Sequence, residues 1–130
     1  MSGEISRRTG EWGEQIAVSY LRRHGWWIRE RNYRAGHHEI DVIATRWGVI
    51  AFVEVKARSY READAEIAPP PGNAIRSDKK KFTRQAARQY LSEHPCRHKP
   101  RMDVIEIWLK PSDSPKRPKV LRLRHMEGAY

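Results

Sequence analysis

Glu39, Asp41 and the pair Glu54-x-Lys56 lie inside two short runs that are otherwise mostly apolar, His38-Glu39-Ile40-Asp41-Val42-Ile43 and Ala51-Phe52-Val53-Glu54-Val55-Lys56. Ile, Val and Phe favour strands, and Trp47-Gly48 between the runs reads as a turn. Because strand side chains alternate, Glu39, Asp41 and Ile43 are expected on one face of the first strand, and Ile50, Phe52, Glu54 and Lys56 on one face of the second. An unpaired carboxylate costs several kcal/mol to bury, so carboxylates converging on an apolar surface call for a cation. A divalent ion such as Mg²⁺ takes hard oxygen ligands and commonly needs only one or two carboxylates. Asp41 and Glu54 are expected to supply them, with Glu39 either a further ligand or a solvated strand start. Lys56, about 6.6 to 7 Å beyond Glu54 on the same side, is placed to orient or deprotonate an attacking water and to offset phosphate charge. Glu14, upstream, is either a further ligand, directly or through water, or a solvated helix carboxylate.

The elements that must position these groups follow from periodicity. Trp12, Ile16 and Tyr20 recur at four-residue spacing before Gly25, which predicts a helix over 7–24. A strand over 26–32 and a turn at Arg34-Ala35-Gly36 lead into a hairpin over 38–57. The segment 59–76, with Pro69-Pro70-Pro71-Gly72, reads as a long mobile loop. A second helix is expected over 77–93, with Phe82, Ala86 and Tyr90 inward, then a buried strand over 101–109 and a last strand over 120–124. The whole, residues 1–130, reads as one α/β domain with a central sheet of about five strands flanked by helices. Trp12, Trp26 and Trp27 are expected in the core, while Trp47 in the hairpin turn is the better candidate to stack on bases.

The net charge is +10, and its distribution is uneven: residues 76–91 hold six basic and one acidic residue, whereas 35–75 hold four basic and six acidic. An acidic site in a basic protein suits a polyanion approaching a cation, which points to nucleic acid as partner. Lys79, Lys80, Lys81, Arg84 and Arg88 would form a basic helical face, either tracking phosphates or simply solvated. The sole cysteine, Cys96, is expected to be inert in a reducing compartment. No apolar run is long enough to span a membrane, so a cytoplasmic protein without membrane contact is expected. His37-His38 with Glu39, and His94, Cys96 and His98, lack recognised zinc spacings.

Asp41, the twelve residues after it and Glu54-Val55-Lys56, with an acidic residue in the preceding helix, resemble the PD-(D/E)XK nuclease superfamily. More closely, Gly10-Glu11-Trp12-Gly13-Glu14-Gln15-Ile16-Ala17, Glu39-Ile40-Asp41-Val42-Ile43, Phe52-Val53-Glu54-Val55-Lys56-Ala57-Arg58, Arg101-Met102-Asp103-Val104 and His125-Met126-Glu127-Gly128-Ala129-Tyr130 resemble the small bacterial YraN family, described as candidate endonucleases similar to archaeal Holliday-junction resolvases. The resemblance implies a restriction-endonuclease-like core and hydrolysis of DNA phosphodiester bonds, in branched or damaged DNA, with Mg²⁺ or Mn²⁺. It makes Asp41 and Glu54 metal ligands, Lys56 catalytic and Glu14 the residue that completes the site, and it leaves a homodimer open. The rival class is a non-catalytic nucleic-acid-binding module of the same fold, in which the charged cluster is a salt-bridge network. This chain departs from the family in having His38 where Gly is usual, and in its proline-rich segment after Arg58.

Overall fold

The computed structural model describes residues 2–59, 77–110 and 117–130. The chain runs through α1 (Ser2–Arg23), β1 (Trp27–Ala35), β2 (His38–Arg46), β3 (Val49–Ser59), α2 (Ser77–Glu93), β4 (Lys99–Lys110) and β5 (Lys119–Met126). The five strands form one sheet in sequence order, antiparallel except for the parallel pair β3–β4, which α2 connects. This mixed five-stranded α/β sheet with two helices is the architecture expected from sequence, and it is consistent with a restriction-endonuclease-like core. The proline-rich segment 60–76 lies outside the described residues. No helix among the described residues is long and apolar enough to cross a membrane.

Turn chemistry sets the element ends. α1 closes with Gly25 at φ 83°, where the Trp26 amide donates to the Leu21 carbonyl and the Gly25 amide to that of Arg22. This is the paired bonding that a left-handed residue after a helix permits. α1 begins at Ser2 rather than at residue 7; apolar spacing signals that a helix exists better than it signals where one begins. β1 continues through the expected turn to Ala35, which pairs with His38. The chain reverses instead at Gly36-His37, with Gly36 at φ 63°. β2 and β3 join through Trp47 and Gly48 at φ 48° and 76°, the two-residue turn whose twist suits a hairpin.

Helices cover both faces of the sheet. Ile16, Ala17, Val18 and Leu21 of α1 pack on Val42, Ala44, Ala51, Val53 and the odd-numbered apolar residues of β4. On the other face, Ala86, Ala87 and Tyr90 of α2 pack on Ile43, Ile50, Phe52 and Met102. Strands buried on two faces need continuous apolar runs, which is why charges inside them are conspicuous. Two expected core residues lie elsewhere. Trp27 is 75% exposed, at the start of the edge strand β1 and on the opposite face from its core neighbours Trp26 and Ile28. Phe82 is 40% exposed and stacks on His38 at 4.4 Å, while Thr83 takes the inward position and donates to the Lys79 carbonyl.

The C-terminal residues are tied down by one carboxylate. Asp103 is fully buried and accepts bonds from Arg101 Nε and Nη2 at 2.8 and 2.9 Å, from the Gly128 amide at 3.0 Å, and pairs with His125 Nε2 at 2.8 Å. Burial works to raise its pKa, but the bonds from His125, Arg101 and Gly128 outweigh it and hold the group at about 2.

Candidate metal and catalytic site

Three elements deliver carboxylates to one point. α1 lies against β3 so closely that a Cβ on Gly13 would meet the Ala57 Cβ at 2.4 Å. Only glycine permits that approach, and it brings the next residue, Glu14, over the sheet. In β2 the alternation breaks at Asp41: Ile40 and Ile43 belong to the α2-side core, Val42 and Ala44 to the α1-side core. The expectation that Glu39, Asp41 and Ile43 share a face by simple alternation is therefore corrected. The β2–β3 register ends at Val42 opposite Val53. Beyond that point the Asp41 carboxylate takes over the pairing, accepting the Val55 amide at 2.8 Å.

The oxygens of Glu14, Glu39 and Asp41 all lie within 4.8 Å of one another. Asn32, at φ 52° within β1, bridges two of them. With its amide nitrogen turned inward it donates to Glu14 Oε1 and Glu39 Oε1, each at 2.9 Å. Glu54 is 5% exposed, and its Oε1 is held by Lys79 Nζ of α2 at 2.5 Å and by Lys56 Nζ at 3.5 Å.

The electrostatics follow from this crowding. Burial, and next the charge of Glu54, push the Asp41 carboxyl up to about 7, against the Val55 bond that works the other way, with Glu14 and Glu39 adding to the rise. Burial and then Glu39 raise Glu14, although Arg31 and bonds from Asn32 and Asp41 oppose them. Burial pulls the Lys56 ammonium below its usual range despite Glu54. Burial acts in the same sense on Lys79, but its bond to Glu54 wins and leaves it raised.

Acceptor-only carboxylate oxygens are the donor type a hard divalent cation takes. Oxygens sharing a Mg²⁺ at about 2.0 to 2.1 Å are at most roughly 4.2 Å apart, so small side-chain rotations bring Glu14, Glu39 and Asp41 into range. The residues fit such an ion. Among the described residues this is the set of three or more clustered metal-ligating side chains, and it contains no histidine or cysteine. His38 is stacked on Phe82, His94 on Tyr90 at 4.4 Å, and Cys96 is exposed.

Of the residues expected from sequence, Glu14, Glu39 and Asp41 meet directly, and Glu54 and Lys56 stand beside them on β3. The basic residues of α2 divide. Lys79 points into the site, and Lys80 and Arg84 lie over the Tyr130 ring at 5.6 and 5.4 Å. Lys81 and Arg88 are exposed. Sequence reasoning missed Asn32 and the inward role of Lys79. The one available signal for Asn32 was its type, since Asn is depleted in strands.

A small α/β protein with a carboxylate cluster where two central strands part is the class that fold and site define. The model of the uncharacterised protein family UPF0102 matches residues 13–107, and the chain belongs to that family, of which YraN is the type named above. It is 42% identical to a UPF0102 protein of Chlorobium phaeobacteroides over 99 residues, 75% of this chain and 74% of that one. It is 39% identical to one of Symbiobacterium thermophilum over 131 residues, covering 97% and 98%. A relative in Bacteroides fragilis is 35% identical over 121 residues, 93% and 90%. These names assign no activity.

Proposed function

We propose that the protein is a metal-dependent DNA endonuclease that hydrolyses phosphodiester bonds. The observation that carries this reading is the convergence of the Glu14, Glu39 and Asp41 carboxylates within 4.8 Å, beside the Glu54–Lys56 pair, in a protein of net charge +10. Glu14, Glu39 and Asp41 would hold Mg²⁺ or Mn²⁺. Such an ion, when bound, lowers the pKa of a water and stabilises charge on a phosphoryl oxygen. Asp41 must lose its proton to act as a ligand, and Asn32 fixes Glu14 and Glu39 for the same purpose. Lys56, its pKa depressed by burial, is closer than an ordinary lysine to exchanging a proton with the attacking water. Lys79 can turn from Glu54 to an incoming phosphate. That exchange would leave Glu54 Oε1 with Lys56 as its remaining ion-pair partner and keeps Glu54 a candidate ligand.

The non-catalytic nucleic-acid-binding module draws on the same contacts, because Lys56 and Lys79 already neutralise Glu54 without a metal. A panel of linear, nicked, branched and single-stranded DNA, incubated with Mg²⁺, Mn²⁺ or chelator, separates the two. The nuclease reading expects cleavage that chelator abolishes and that Glu14→Gln and Asp41→Asn both remove. It also expects Lys56→Ala to keep DNA binding and lose on the order of 10²-fold in rate, the usual scale for a positioned acid–base group. Binding without cleavage of any substrate would establish the module instead.

A further inference from the structure

Away from the carboxylates, beyond the other end of β2, the hairpin turn holds a residue of a type that its left-handed conformation does not favour. Trp47 occupies the first position of its hairpin turn at φ 48°, where Asn, Asp or Gly is normally found and a bulky side chain is strained. It gains no burial in return, being 88% exposed. Its indole is nevertheless held in place. Arg46 lies over the Trp47 ring at 4.5 Å and over the Trp26 ring at the same distance, and Arg46 Nη1 donates to the His24 carbonyl at 2.8 Å. A buried tryptophan, a fixed guanidinium and an exposed tryptophan thus sit in series. Trp27, opposite Thr45 on the adjacent strand and 75% exposed, projects from the other face of the sheet, since Trp26 and Ile28 on either side of it belong to the α1-side core, and it takes no part in this stack.

The surroundings are basic. The turn bonds to the start of β4 through the Lys99 amide and the Gly48 carbonyl at 2.7 Å, and α1 ends nearby in Arg22 and Arg23. Glu127 is an acidic residue beside the stack, 3.7 Å from Arg46. A flat aromatic face held rigidly among cations is complementary to a ligand that has both a π-face and a phosphate, which a paired duplex hides and an unpaired strand displays.

We propose that Trp47, backed by Arg46, is a stacking platform for an unpaired nucleobase. It engages a single-stranded segment of the DNA whose backbone is cut at the carboxylate cluster. From Asp41 to Trp47 is six residues of strand, roughly 20 Å, or several nucleotides of single strand. The inference rests on the proposed DNA-directed function, and it adds a preference for substrates with unpaired bases.

The test uses the full chain in chelator at fixed salt, with fluorescence anisotropy of three labelled DNAs: a 20-nucleotide single strand, a blunt duplex, and that duplex with a single-stranded tail. Trp47→Asn suits the left-handed turn position, so it should melt no lower than the parent, and Trp47→Phe should retain part of the affinity. Trp47→Asn is expected to weaken binding of the single strand and the tailed duplex by about 5- to 100-fold, the range of one lost base–aromatic stack. Blunt-duplex affinity should change less than about twofold, with the salt slope unaltered, since no phosphate contact is lost. Equal affinity of Trp47→Asn and parent for the single strand overturns the platform while leaving the nuclease reading to the metal and cleavage experiments. A parent that binds none of the three DNAs, either in chelator or with Ca²⁺ added to fill the carboxylate cluster without supporting cleavage, overturns both. A change in sedimentation mass without a change in DNA affinity would assign the surface to a second copy of the chain and likewise overturn it.

Discussion

Replacing Asp41 with Asn keeps the shape of the side chain and an oxygen acceptor for the Val55 amide, but removes the charge that the fold crowds. The folded-state pKa of Asp41 is raised from 3.8 to about 7. A carboxyl raised in this way binds a proton more tightly folded than unfolded, so its contribution is fully present below about pH 4 and is lost as pH climbs toward 7. At about 1.36 kcal/mol per pKa unit the loss is bounded near 4 kcal/mol. Sharing of the proton with Glu14 and partial access of water bring the expected figure to about 2 to 3 kcal/mol. For 130 residues, an unfolding entropy of about 2.1 cal/mol/K per residue makes each kcal/mol worth roughly 3 to 4 °C in Tm. Asp41→Asn should therefore melt roughly 6 to 12 °C above the parent at pH 8 in chelator. The gap should narrow steadily from about pH 7 down to pH 5 and stay constant above about pH 7. Saturating Mn²⁺ should then raise the parent and leave the variant where it was, because a ligand stabilises only the state that binds it. Differential scanning calorimetry from pH 5 to 8, with and without Mn²⁺, reads all of this. A gap that does not vary with pH, or an Asn variant less stable than the parent at pH 8, refutes the reasoning.

Gly13→Ala should destabilise the protein by about 1 to 3 kcal/mol in denaturant melts despite Ala's better helix propensity, because its Cβ would sit 2.4 Å from that of Ala57. Gly13→Ala with Ala57→Gly should recover most of the loss, and a fully stable single variant would show that α1 does not depend on this approach. Lys79→Met and Glu54→Gln should each destabilise, but together by about 0.5 to 1.5 kcal/mol less than the sum, since they remove two ends of one half-buried ion pair. Strict additivity in that double-mutant cycle would show that Lys79 serves solvent rather than Glu54.

How much was legible in the sequence depends on how local the signal was. The hairpin, both helices and the buried β4 follow from periodicity and turn residues that act within a few positions. The approximate five-stranded sheet follows from their order. What periodicity could not supply is the break of alternation at Asp41, because it arises where β2 leaves β3 and a side chain replaces a strand partner at the Val55 amide. Trp27 failed for a related reason: hydrophobicity says that an indole prefers burial, but whether a helix covers that stretch of an edge strand is a tertiary matter. Lys79 was readable only as one of three consecutive lysines. The roughly 100° of rotation between successive residues of a helix turns it away from Lys80 and Lys81 and sends it alone to Glu54.

The same sheet contains its own control for the meaning of the carboxylate cluster. Asp103 and Asp41 are both withdrawn from solvent, yet one is held at about 2 and the other driven to about 7. Asp103 is surrounded by what folding supplies to a structural carboxylate, namely a two-pronged arginine, a histidine and a backbone amide. Asp41 receives one backbone amide and is faced by Glu54, Glu14 and Glu39. Bringing Glu14 that close requires Gly13 in a helix, where glycine costs about 1 kcal/mol relative to alanine. Holding it requires Asn32 in a left-handed conformation within a strand. A chain able to satisfy Asp103 so fully has the means to satisfy Asp41, and its local departures at Gly13 and Asn32 both act to hold negative charge at one point. Such departures are expected where function, rather than stability, sets the residue. A divalent cation is the partner whose charge and oxygen preference would remove the conflict.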